Sequence, residues 1–226
     1  MYDVITIGSA TIDAFIECDD ANIVSVNTKN CQNEFMAYPY GAKMEINGFK
    51  TAVGGGGLNA ASNFANLGFD TSAIFKIGED FQAKNILSKM EQAGVDISNV
   101  IVSEDESSGF SIILVSFEGN RTVLAHRGTN GTIREAEIDF EAIKNAKWLY
   151  IAPLNGESGQ VLDVISRFAE ENNVNTTINP GSSSLKQGMK YFKNIFKTAE
   201  VVVMNKEEAS MVTKIEVRPD TKSEKF

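Results

Sequence analysis

The chain has 226 residues and a formal net charge of −9, with 42% hydrophobic and 23% charged residues. That length buries a sizeable core in one domain, and the balance is that of a soluble globular protein. An acidic chain without a Lys/Arg cluster excludes a general nucleic-acid binder, because phosphate neutralisation needs clustered cations.

No targeting or membrane segment stands out. The start lacks a basic stretch, and Asp3 and Asp13 interrupt its apolar run. The longest uncharged run, 51–69, is rich in Gly and Asn and does not suit a membrane span. Cys18 and Cys31 are too few for a disulfide framework or a zinc site, so we expect reduced thiols in a cytoplasmic protein. The single histidine, His126, adjoins the polar run 127–131 and reads as a solvated loop residue. With one histidine, nucleophile triads and multi-histidine metal sites lose most of their support.

Residues 3–8 read as a buried opening strand, and Asp13 falls within a second apolar run ending near Ile16. Residues 17–45 lack periodicity and read mostly as loop, and 43–53 as one or two short strands. Gly54, Gly55, Gly56 and Gly57 then precede Leu58-Asn59-Ala60-Ala61, with Phe64, Ala65 and Leu67 at helical spacing. This is a flexible turn opening an amphipathic helix, whose first N–H groups and positive dipole end suit an anionic or polyhydroxyl ligand. Asn59 lies in the first turn, placed to cap the helix or to reach into the loop.

Strands are expected at 71–77 and within 95–102, with a helix between them that starts at Asp80 and stops at Gly94. Runs 109–117 and 121–126 flank Glu118-Gly119-Asn120, a hairpin signal. Further on, helices near 140–145, 161–169 and 189–196 alternate with strands at 148–152, 175–178 and 200–204. Another helix starts at Asn205, and the tail 216–226 is polar. Such alternation predicts a mostly parallel sheet covered on both faces, with the stray β segments forming a lid.

Two constellations carry chemistry. Asp13 sits just past a strand's carboxyl end, where open α/β sheets place ligand-binding groups, although a turn aspartate bonding its own backbone reads equally well. Asn205-x-x-Glu208 follows an apolar strand, where an amide and a carboxylate can hold a hydrated Mg²⁺ with its phosphates. The plainer reading of that pair is a capping box. Gly55-x-Gly57-x-x-Ala60 also fits the dinucleotide fingerprint, but it follows a lid segment rather than the first strand.

Taken as a set, residues 8–13, the run Gly54 to Asn59 with Gly68, Ile77-Gly78-Glu79-Asp80 and Asn205-x-x-Glu208 resemble the ribokinase-like (pfkB-type) carbohydrate kinases. The resemblance covers essentially the whole chain, 1–226. It implies a three-layer α/β/α sandwich with a mostly parallel central sheet and a small β lid, here from about 14–53 and 107–127. It also implies transfer of the ATP γ-phosphate, with Mg²⁺, to a hydroxymethyl group of a sugar or nucleoside. By the same resemblance Asp13, Gly55, Gly56, Gly57 and Asn59 bind the substrate, while Asn205 and Glu208 serve the phosphate end and Glu208 the metal. Thr11, Gly56 and Leu154 depart from ribokinases, Leu154 replacing a sugar-binding glutamate, and this weighs against ribose itself. Fructose, a nucleoside and a keto-deoxy sugar acid also remain open.

No residue after Glu208 matches the family's glycine-rich loop with its catalytic aspartate, and Asp220 lacks flanking glycines. The catalytic residue is therefore unassigned, the carboxyl-terminal part of the fold is expected to be missing, and the chain is expected to be inactive alone. The competing readings are a non-catalytic carbohydrate or nucleoside binder and a dinucleotide-dependent enzyme. A lid sheet leaves edges that pair readily, so a homodimer through the lid is a further expectation.

Overall fold

The computed structural model describes residues 1–17, 19–29, 31–186, 188, 192 and 194–215. Cys18, Met189, Asp220 and the tail 216–226 lie outside the described residues. Strand β1 (Tyr2–Ile7) leads to β2 (Thr11–Glu17), the hairpin β3 (Asn22–Asn27) and β4 (Gln32–Ala37), and β5 (Gly48–Gly54). Helix α1 (Gly56–Asn66) is followed by β6 (Thr71–Ile74), β7 (Lys76–Gly78), α2 (Phe81–Gln92) and β8 (Ile101–Ser103). Next come β9 (Gly109–Val115), β10 (Arg121–His126), α3 (Phe140–Lys144), β11 (Ala146–Ile151), α4 (Val161–Glu171) and β12 (Asn175–Ile178). Two single turns, Ser182–Leu185 and Ile195–Thr198, then flank the route to β13 (Val201–Val202) and a last helix, Lys206–Thr213.

The central sheet runs β6-β1-β11-β12-β13, and every pairing in it is parallel. β6 lies on one side of β1 and β11 on the other, so the strand order reverses between β1 and β11. In open parallel sheets such a reversal leaves a crevice at the carboxyl ends of the strands, where ligands bind. One face carries Ile5, Ile7, Leu149, Ile151 and Ile178 into a core with Ile143 of α3 and Leu162, Ile165 and Ala169 of α4. The other face meets α1, where the Thr6 hydroxyl donates to the Gly57 carbonyl and Phe64 packs edge-on against Tyr150. Val201, at the β13 edge, is 43% exposed.

The lid is a separate four-stranded sheet, β10-β9-β2-β5. β2 pairs antiparallel with β5 and parallel with β9, and β9 antiparallel with β10. Ile12, with Val53 and Phe110 beside it, turns one face onto Ile86 and Met90 of α2, which roots the lid on the core. Asp13 alternates with Ile12 and so lies on the opposite face.

Two segments differ from expectation. The 17–45 stretch contains the β3–β4 hairpin, in which Asn22 to Asn27 pair with Gln32 to Ala37 although both strands are largely exposed and lack a core-facing alternation. The run 71–77 is two strands, since the chain leaves the central sheet after Ile74 and pairs with β8. Within the polar run 127–131, Thr129 and Asn130 are buried.

Lys76 is also buried, 4% exposed, with Nζ 2.7 Å from Glu137 Oε1 and 3.0 Å from the Thr132 carbonyl. Burial pushes the Glu137 carboxyl up. The Lys76 hydrogen bond, the Arg134 N–H and the charges of Lys76 and Arg134 outweigh burial and hold the carboxyl below its usual 4.5. Its stabilising contribution is therefore present above 4.5 and is lost as the pH falls towards the lower value of the folded protein. Glu137→Gln leaves Lys76 without a counter-charge and is expected to destabilise the protein by about 3 kcal/mol at neutral pH. Urea unfolding should show that difference shrinking as the pH falls below 4.5, as the carboxylate protonates first in the unfolded chain and then in the folded protein.

Candidate ligand site at the switch point

Gly8 follows β1, and Ala152 follows β11. A Cβ on Gly8 would lie 2.6 Å from Ala152 Cβ and 2.9 Å from the Gly57 nitrogen. One on Gly57 would lie 2.9 Å from the Gly8 backbone. Helix α1 thus enters on the seam between β1 and β11, where two bare backbones cross closer than any side chain permits. Gly55 turns the chain into the helix with φ of 100°.

The first N–H groups of α1 do not face a ligand unpaired, contrary to the sequence expectation. Ser9 takes them: its Oγ accepts from Gly56 N–H at 3.0 Å, and its carbonyl from Gly57 and Leu58 N–H at 3.2 and 3.4 Å. A residue distant in sequence does the work of an N-cap, since no side chain at the helix start caps it. Asn59 is exposed; its N–H donates to the Gly55 carbonyl at 2.9 Å, and its carbonyl accepts the Asn63 amide at 2.6 Å. With these donors committed, the helix start offers no pyrophosphate cradle, which removes the main support for a dinucleotide reading.

Asp13 does meet the glycine turn. Thr11 Oγ1 donates to Asp13 Oδ1 at 3.1 Å, and a Cβ on Gly54 would overlap Asp13 Oδ2. Its ladder neighbours are Ala52 and Ser111, both small, so the carboxylate stands clear on its face of the lid. Opposite, Gly56 would place a Cβ 3.2 Å from Pro153 Cδ, and Gly181 one 2.7 Å from Pro153 Cβ. Leu154 is buried in the core, and its carbonyl accepts the Ser184 hydroxyl at 2.8 Å.

Asn205 and Glu208 form a capping box. Asn205 Oδ1 accepts Glu208 N–H at 2.8 Å, and Glu208 Oε2 accepts Asn205 N–H at 3.0 Å. Ser182 adds a hydroxyl bond to Glu208 Oε1 at 2.9 Å, and Glu208 is 6% exposed. The pair reaches the glycine turn through Ser182, Gly181 and Pro153. Sequence reasoning overlooked Ser9, Asn130, Pro153 and Ser182, whose roles exist only through residues far along the chain.

Asp80 caps α2 and also accepts the N–H and hydroxyl of Ser108 at 2.7 and 2.8 Å, so it ties the lid's second entry to the helix. Burial pushes its carboxyl up, but the N–H groups of Ser108, Ala83 and Gln82 and the Ser108 hydroxyl hold it below the usual aspartate range. His126 is exposed, and its Nε2 lies 2.9 Å from the Ser107 hydroxyl. Among the described residues, no helix is long and apolar enough to cross a membrane, and no group of three His, Cys, Asp or Glu side chains clusters as a metal site.

An open parallel sheet with a β lid rooted beside its switch point is the ribokinase-like fold. The chain superposes on Arabidopsis thaliana ribokinase complexed with ribose and ATP with a TM-score of 0.74 at 18% identity, over 94% of this chain and 63% of that one. For Burkholderia thailandensis nucleoside kinase in complex with inosine the TM-score is 0.70 at 18% identity, over 93% and 63%. In sequence it is 28% identical over 224 residues to the bifunctional ribokinase/ribose-5-phosphate isomerase A of Fructilactobacillus sanfranciscensis, covering 98% of this chain and 37% of that protein. The profile of the pfkB family carbohydrate kinase matches residues 20–225. The chain belongs to that family, whose members are sugar and nucleoside kinases, and it spans less than two thirds of each of these three proteins.

The glycines separate stability from site geometry. Gly57→Ala drives a methyl into the Gly8 backbone and is expected to destabilise by about 1–3 kcal/mol. Gly54→Ala meets the end of the Asp13 side chain and the Thr11 hydroxyl, both of which can rotate away. Thermal unfolding should therefore fall for Gly57→Ala and hold within about 0.5 kcal/mol for Gly54→Ala, whose defect appears in ligand binding instead.

Proposed function

We propose that this chain supplies the sugar-holding half of an ATP-dependent carbohydrate or nucleoside kinase. The observation that carries the reading is the meeting of Asp13 with the glycine turn at the switch point, beneath the lid. A carboxylate accepts two neighbouring ring hydroxyls, and a turn without side chains lets the ring approach the backbone. The lid excludes water that competes as phosphoryl acceptor. Catalysis of this kind rests on positioning and electrostatics rather than on covalent help from the protein.

Asn205 and Glu208 are assigned the phosphate end. Each Glu208 carboxylate oxygen already accepts one hydrogen bond, from Ser182 or from Asn205, and keeps a further lone pair. That donor set fits a Mg²⁺ held through its own waters, as Mg²⁺ prefers, rather than one stripped for direct ligation. When bound, the ion neutralises phosphate charge. The Asn205 amide nitrogen is free of the cap, which uses only its oxygen. ATP itself follows from the family assignment. The base expected for the acceptor hydroxyl has no match in these 226 residues, so we infer binding without turnover.

Phe49 and Leu124 share the lid face opposite Asp13 and are 65% and 55% exposed. We infer a homodimer joined through this face. Light scattering should give twice the chain mass, and Phe49→Asp should give the single mass.

The test is a thermal-shift and calorimetric titration with D-ribose, D-fructose and inosine, with and without Mg-ATP. At least one probe should stabilise the chain, by about 2.7 kcal/mol at a hundredfold excess over its Kd. Asp13→Ala should erase that gain, and no phosphorylated product should form. A gain that survives Asp13→Ala, or silence from all three, overturns the site. Stabilisation that Mg-ATP leaves unchanged favours a plain binding module.

A further inference from the structure

The leg that returns the chain from β10 to the core reads Arg127-Gly128-Thr129-Asn130-Gly131, yet it is fastened at several points. Thr129 is fully buried; its hydroxyl donates to the Lys76 carbonyl at 2.7 Å and its N–H to the Ser107 carbonyl at 3.0 Å. The Asn130 carbonyl accepts the Ser158 hydroxyl at 2.9 Å, and Ser158 Oγ in turn accepts Ile133 N–H at 2.8 Å. The Asn130 side chain does something different. Its Oδ1 accepts Ala10 N–H at 2.8 Å, and its Nδ2 donates to the Ala10 carbonyl at 2.8 Å.

Ala10 is the hinge between the two halves of the site. Behind it stands Ser9, which holds the N–H groups of Gly56, Gly57 and Leu58. Ahead of it β2 carries Asp13. Ala10 is 0% exposed, so neither of its backbone groups can turn to water instead. Asn130 is 8% exposed, and a Cβ on Gly109 would overlap its Nδ2, so the facing strand is bare where the amide passes.

We propose that Asn130 is a positioning residue of the ligand site: its amide fixes Ala10, and through Ala10 it sets Asp13 and the glycine turn in register for the sugar. The inference rests on the sugar-site reading given above, and it names the group that makes that site rigid. The task needs a donor and an acceptor at the span of one amide, pointing at one residue's N–H and C=O. Aspartate has the shape but offers two acceptors once ionised, so it repels the Ala10 carbonyl. When protonated, it regains the donor.

Asn130→Asp is therefore the informative change, with Ser158→Ala as the comparison that loosens the same leg without touching Ala10. Binding of D-ribose, D-fructose and inosine is measured by calorimetry well below the unfolding temperature, at about pH 7.5 and about pH 5, across the raised range of a buried carboxyl. For the probe that binds the unaltered chain, Asn130→Asp should lose about 10–100-fold in affinity at the higher pH, as expected for an orphaned buried group. It should recover most of that at the lower pH, relative to the unaltered chain. Ser158→Ala should lower thermal stability and leave affinity within about threefold. Unchanged affinity in Asn130→Asp at both pH values overturns the proposal, and so does an equal loss in Ser158→Ala.

Hydrogen exchange without ligand separates this from the sugar-site reading. In Asn130→Asp the amides of Gly56, Gly57 and Leu58 should exchange about tenfold faster at the higher pH. Unchanged exchange overturns the proposal even where no probe binds, whereas silence of all three probes on the unaltered chain refutes the site reading alone. Should Asn130→Asp not fold, exchange on the unaltered chain still decides. Ala10 N–H and the Asn130 amide protons should then open at the same rate as Gly56 to Leu58, and independent opening overturns the coupling.

Discussion

The close passage of Gly8 and Gly57 is the constraint on which the rest depends. Two backbones at van der Waals distance leave no room for a methyl on either, with Ala152 closing the third side. That passage puts the start of α1 on the seam where the strand order reverses, rather than over the middle of a strand. It also explains why Ser9 can cap a helix that begins far downstream in sequence, for the carbonyl and hydroxyl are already at the required distance. Without the passage, neither the cap nor the turn has a place to sit.

The lid adds the polar group. A four-stranded sheet whose strands come from well-separated stretches cannot form locally, so Asp13 reaches the glycine turn only once β2, β5 and β9 have paired. Each pairing puts a residue of small bulk beside the carboxylate: Ala52 and Ser111 in register, and Gly54 at the strand end. The opposite lid face does the reverse, packing Ile12, Val53 and Phe110 onto α2. The period of two along β2 thus assigns one face to anchoring and leaves the other to the carboxylate.

Local signals explain what the sequence made legible. The buried run of β1, the second apolar run that becomes β2, the turn before β10 and the helical spacing of α1 all depend on near neighbours, and all appear where the sequence places them. Convergence of Asp13 with the tetraglycine was foreseeable from the family resemblance, and the geometry agrees with it. What escaped depends on distant partners. Thr129 and Asn130 in the polar run 127–131 bond Ala10, Lys76, Ser107 and Ser158 rather than water, and no window of sequence distinguishes the two. The N–H groups of α1 looked free for the same reason, since their acceptor is Ser9. The β3–β4 hairpin escaped because its strands are largely exposed and carry no core-facing alternation.

The capping box of Asn205 and Glu208 is compatible with the role proposed for the pair at the phosphate end. A capping box uses the asparagine oxygen and one lone pair of a carboxylate oxygen, and it leaves the amide nitrogen and the remaining lone pairs unassigned. Here the Ser182 hydroxyl takes one lone pair on the second carboxylate oxygen, so both oxygens of Glu208 are oriented before any ion arrives. A buried carboxylate held at both oxygens cannot swing, and an unhydrated cation would have to displace one of those bonds. A hydrated ion need not, because its waters can donate to the lone pairs that remain. On the reading proposed above, the cap would supply the rigidity that outer-shell binding requires, while the same hydrogen bonds start the last helix just past β13.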